Sequence, residues 1–140
     1  CCVVCVIHSA SQDRHNMRPI ALFSFSTLAF LAACAAPDPG KDPTGRWVGA
    51  LVTDQGTCPT ERTSTFEIRG KTIVFTPGDG SQVLTGTYQP GTHHYHAELA
   101  SKDTSGHPSP LVFNGYPVGQ AIGGTFGSAA CRAHITMTRK

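Results

Sequence analysis

The densest group of side chains able to do chemistry is His93-His94-Tyr95-His96, with Glu98 close behind. Alternation along a strand places His94, His96 and Glu98 on one face and His93, Tyr95, Ala97 and Leu99 on the other. Two histidines two residues apart plus a carboxylate are a ligand set for Zn²⁺ or Cu²⁺. Ala97 and Leu99 mark the opposite face as the apolar one, so the three donors fall on the solvent side, unenclosed. The expectation is a polar outer face, with no metal and no cofactor.

Catalysis is not expected either. The chain has no G-x-S-x-G, no H-E-x-x-H and no phosphate-binding loop leading into a helix. Gly123-Gly124-Thr125-Phe126-Gly127 has the composition of a phosphate loop, but it reads as a strand with close backbone packing. Asp54, Glu61, Asp79 and Asp103 fall in turns, where aspartate is common for its own hydrogen bonds. With Lys+Arg 11 against Asp+Glu 9 there is no basic stripe, which argues against a nucleic-acid partner.

The other reactive residues are six cysteines, and their meaning depends on how the chain is divided. The first methionine is Met17. Arg18 supplies a positive start, residues 20–31 an apolar run, and small residues follow, which is the layout of a secretory signal peptide. The run is too short, and too polar at Ser24, Ser26 and Thr27, for a spanning helix, which needs about 20 apolar residues. It ends in Leu31-Ala32-Ala33-Cys34. This sequence resembles the lipobox of bacterial lipoproteins. The resemblance implies a diacylglycerol on the Cys34 thiol, cleavage before Cys34 and acylation of the new amino terminus. It also implies that Ala35, where an aspartate would favour inner-membrane retention, directs the protein to the outer membrane, facing the periplasm. Residues 1–16 are then read as an upstream extension, 17–33 as the signal peptide and 34–43 as the lipidated cysteine with a proline-rich, extended tether.

Residues 44–140 form the expected domain. Eight strand-like runs, at 45–53, 63–69, 72–76, 82–88, 92–99, 111–116, 120–127 and 131–140, are separated by turn residues. Phe66 and Ile68 share a face, as do Cys131, Ala133, Ile135 and Met137. Period-two patterning of this kind belongs to half-buried antiparallel strands. The expectation is an all-β fold, a small eight-stranded antiparallel up-and-down barrel, with a two-sheet sandwich as the alternative. Short strands and large residues at Phe66, Ile68, Phe75, Leu84, Ile135 and Met137 predict a filled interior. Gly45-Arg46-Trp47 opens the first strand and Arg139 closes the last. A G-x-W start covered by a basic residue of the final strand resembles the calycin barrels, the lipocalins and avidins.

Two cysteines remain in the domain, Cys58 and Cys131. In an oxidising compartment they are expected to pair. If strand one closes against strand eight, the segment after Thr53 comes beside Cys131, within reach of Cys58. The function read from all this is a monomeric, membrane-anchored envelope lipoprotein. Its barrel would act as a non-catalytic binding or inhibitory module toward a protein partner, with the loop at 100–110 as the contact surface. The alternatives are a structural envelope lipoprotein and a small-ligand-binding barrel of calycin type.

Overall fold

The computed structural model describes residues 38–140. The signal peptide, Cys34 and the 1–16 extension lie outside the described residues. Nine strands follow in order: β1 (Gly45–Gly49), β2 (Leu51–Gly56), β3 (Ser64–Arg69), β4 (Thr72–Thr76), β5 (Leu84–Thr87), β6 (Tyr95–Leu99), β7 (Leu111–Val118), β8 (Ala121–Gly127) and β9 (Cys131–Arg139). All pairings are antiparallel, in the order β1-β3-β4-β5-β6-β7-β8-β9-β2, and β1 also pairs β9. The sheet therefore closes on itself as an up-and-down barrel, and the sandwich alternative falls away.

The ninth strand arises because the first run is broken at Ala50. Its first half, β1, lies between β3 and β9, with Trp47 opposite both Phe66 and Arg139. Its second half, β2, continues along β9 alone, from Leu51 opposite Ile135 to Gly56 opposite Cys131. A Cβ on Gly49 would lie 2.3 Å from the Thr136 carbonyl oxygen, so only glycine lets the chain cross this close to β9. Beyond Leu51, β2 is exposed throughout. It is an edge strand with one neighbour, blunted by a bulge between Thr53 and Gln55 that carries the charge of Asp54.

Turn chemistry sets the tight reversals. Arg69 pairs with Thr72 around Gly70-Lys71, and Gly70 sits at φ 59°, where glycine meets no steric penalty. Other boundaries move by a few residues. The 82–88 run shortens to β5, and the 92–99 run starts only at Tyr95, because Thr92 turns back to donate to the Gln89 and His94 carbonyls.

Inward positions of every strand meet in one core. Trp47, Phe66, Phe75, Leu84, Tyr95, Phe113, Ile122 and Met137 are fully buried. The Phe75 and Phe113 rings stack at 4.1 Å, Phe66 packs on Phe113 at 5.3 Å, and Phe126 lies 6.0 Å from Phe75. The barrel axis is filled by side chains, as expected for short strands.

Candidate functional site

The barrel has two unlike ends. One carries the start of β1, the β3–β4 turn, the start of β6, the β7–β8 turn and the end of β9. Residues 38–43, expected as an extended tether, are folded onto this end as a cap. Asp38 starts a turn in which its carbonyl accepts from the Lys41 and Asp42 amides. Pro39 and Pro43 are buried against the barrel. Their carbonyls accept from two polar aromatics of the core. Trp47 Nε1–H donates to Pro43 at 2.9 Å, and the Tyr95 hydroxyl donates to Pro39 at 3.1 Å. Burial, with Tyr88 and Asp38 nearby, pushes the Tyr95 hydroxyl up to about 12.

Arg139 locks the cap. Its guanidinium carbon lies 4.6 Å from the Trp47 ring centroid, a cation–π contact. Its two terminal nitrogens donate to the Thr44 and Asp42 carbonyls. The Thr44 hydroxyl, followed by the Thr44 amide and the Arg139 charge, holds the Asp42 carboxyl below its ordinary value. Gly45, Trp47 and Arg139 thus stand together at the capped end, where Arg139 covers the indole and holds the cap.

At the opposite end, the mouth, four loops meet: 57–63, 77–83, 100–110 and 128–130. The Cys58–Cys131 disulfide is formed there, with Cα atoms 5.2 Å apart, and ties the loop after β2 to the start of β9. The loops are organised by their own polar side chains. Asp79 accepts from the Ser81 amide and hydroxyl, Asp103 from the Ser105 and His107 amides, and Ser128 from the Ala130 and Cys131 amides. A bridge between Lys102 and Pro108 turns the 100–110 segment into a small hairpin. These bonds hold the loops in a defined arrangement around the mouth. Between the loops lies a recess of about 570 Å³, floored by Leu111 and Phe126 and rimmed by Glu61, Gln82 and Lys102.

His94, His96 and Glu98 sit on the outer face, all exposed. His96 Nδ1 lies 2.8 Å from Asn114 Oδ1 on β7, and its Nε2 lies 3.6 Å from Glu98 Oε2. The His94 and His96 rings are 6.5 Å apart. Among the described residues no three His, Cys, Asp or Glu side chains converge on one point. Stoichiometric Zn²⁺ is therefore expected to leave the melting temperature unchanged, because a ligand stabilises the native state only by binding it. A saturable rise that disappears in His96→Ala would reverse this.

A second recess, about 640 Å³, runs along the outer face of β7, β8 and β9, lined by Asp54, Asn114, Thr125 and Arg132. Its companion contact, His134 Nδ1 at 2.7 Å from Asp54 Oδ1, joins β9 to the bulge of β2. Sequence reasoning passed over Asn114 and His134. Their partners lie 18 and 80 positions away, at no recognisable spacing. No protein-family model, curated protein or solved structure matches the chain.

Proposed function

We propose that this chain is a lipid-anchored envelope protein that holds its barrel by the capped end and presents the mouth to a protein partner. The carrying observation is the direction of the cap. Asp38 lies four residues after Cys34, so a lipidated Cys34 is within about 14 Å of the cap even along a fully extended chain. An anchor at that distance keeps the capped end near the bilayer and turns the mouth loops away from it. The loop at 100–110 is the longest of them and is pre-ordered by Asp103.

A binding role is favoured over a purely structural one by those pre-ordered loops around a recess. It is favoured over a small-ligand role by the aromatic side chains that occupy the axis. The function is read as non-catalytic on the sequence motifs alone, with no G-x-S-x-G and no H-E-x-x-H in the chain.

Fractionation tests the anchor. Two or more acyl chains hold a protein stably on a bilayer, at about 0.8 kcal/mol per buried CH₂. Cys34→Ala is expected to move the protein from the membrane to the soluble fraction. Membrane retention of the variant equal to that of the unsubstituted protein would remove the basis of the proposal. A partner captured from envelope extracts by the barrel, and lost when the 100–110 loop is replaced, separates the binding role from the structural one.

A further inference from the structure

Charge is distributed unevenly between the two ends. The capped end carries six cationic side chains, Lys41, Arg46, Arg69, Lys71, Arg139 and Lys140, against three carboxylates, Asp38, Asp42 and Glu67, a net of +3. The mouth end carries Arg62, Lys102 and Arg132 against Asp54, Glu61, Asp79, Glu98 and Asp103, a net of −2. The two sets cover every Lys, Arg, Asp and Glu of residues 38–140, and their sum, +1, hides the polarity.

The cations at the capped end are contiguous. β9, β1, β3 and β4 are successive neighbours around the barrel. Lys140 follows the end of β9, and its amide donates to the Arg46 carbonyl. Arg46 is the cross-strand neighbour of Glu67 on β1 and β3, Arg69 ends β3, and Lys71 stands in the turn that follows. Lys41 joins them from the cap. All five are exposed.

The three carboxylates are turned to local work. Asp38 accepts from the Gly40 amide, Asp42 from Thr44, and Glu67 pairs with Arg69 at 2.8 Å. Among the described residues, Lys41, Arg46, Lys71 and Lys140 have no carboxylate partner. Exposed, unpaired cations on one end of a barrel, beside the point where the chain leads back toward Cys34, are matched in sign and position to a negatively charged surface at the anchor.

We infer that the capped end seats on anionic phospholipid headgroups, with Lys41, Arg46, Lys71 and Lys140 as the contacting groups. This rests on the anchored reading and adds a fixed orientation to it. The anchor alone leaves the barrel free to tilt. Attraction of several cations to an anionic surface, acting within a screening length of about 8 Å at physiological salt, holds one end down. The same polarity keeps the acidic mouth away from the headgroups.

The chain has four lysines, three at the capped end and Lys102 at the mouth, which makes lysine acetylation a built-in footprint. The full protein is bound to phosphatidylcholine vesicles, or to vesicles with about 30 mol% phosphatidylglycerol, and treated with an amine-reactive ester. On the anionic vesicles, acetylation of Lys41, Lys71 and Lys140 is expected to slow by about fivefold or more while Lys102 keeps its rate, and about 1 M salt is expected to abolish the difference. The double variant Lys41→Glu/Lys71→Glu is expected to restore the rate at Lys140. Equal reactivity of all four lysines on both vesicles, or protection of Lys102 instead, would overturn the inference. Flotation with the neutral vesicles reads the anchor separately: a protein that fails to float there contradicts lipidation, whatever the footprint shows.

Discussion

Reduction of the Cys58–Cys131 bond, or either of Cys58→Ser and Cys131→Ser, is expected to lower the melting temperature by roughly 15–30 °C. The bond joins residues 73 positions apart. In the chain-entropy treatment, closing a loop of that length stabilises by roughly 4 kcal/mol, and in a domain of this size each kcal/mol moves the midpoint by about 4–8 °C. Its position adds to the effect. Gly56, at the end of β2, faces Cys131, and β2 has only β9 for a neighbour. Without the bond, the seam at the mouth depends on the β2–β9 pairing, the Thr57 amide bond to the Ala130 carbonyl and the His134–Asp54 contact. The two serine variants remove the same loop, so they are expected to be equally destabilised. Thermal unfolding with and without reductant checks this, and an unchanged midpoint, or two alkylated thiols in the folded oxidised protein, contradicts it.

Trp47→Ala is expected to destabilise by about 3–5 kcal/mol, as large-to-small changes do at fully buried aromatic positions. The indole is completely buried. Its loss leaves the Pro43 carbonyl without its donor and Arg139 without the ring it covers. The cap at 38–43 should therefore loosen before the barrel unfolds. Amide exchange at Lys41 and Asp42, whose N–H groups bond the Asp38 carbonyl, reads that step. Trp47→Phe, which keeps most of the apolar burial, is expected to fall between the two. Denaturant unfolding that shifts by less than about 1 kcal/mol in Trp47→Ala would show that the cap and core are not coupled.

The barrel was legible because its signals are local. Alternation at Phe66 and Ile68 and along Cys131 to Met137, with glycine turns such as Gly70-Lys71, sets strand, face and connection from neighbouring residues alone. Eight short runs with short links pointed to a barrel, the disulfide was expected from an oxidising compartment, and closure of the first strand on the last would bring Cys58 within reach of Cys131. The break at Ala50 was not legible, since residues 45–53 read as one continuous strand-like run with no turn residue such as proline, asparagine or aspartate inside it. It reflects the crossing of Gly49 over the Thr136 carbonyl, a contact 87 positions away. The cap was hidden for another reason. A proline has no amide to donate and reads as a breaker of structure, yet its ring is apolar and its carbonyl still accepts. Pro39 and Pro43 use both properties. The polarity of charge was hidden by dispersion: Lys41, Arg46, Lys71 and Lys140 share an end of the barrel but no stretch of sequence.

The anchored reading rests on the chemistry of one residue, Cys34, and the mass of the protein extracted from bacterial membranes tests it most directly. A chain that begins at Cys34, heavier than its amino acids by a diacylglyceryl group and one further acyl chain, and two daltons lighter for the Cys58–Cys131 bond, is the expected species. A chain that retains residues 17–33, or one that begins near Cys34 without added lipid, would contradict it.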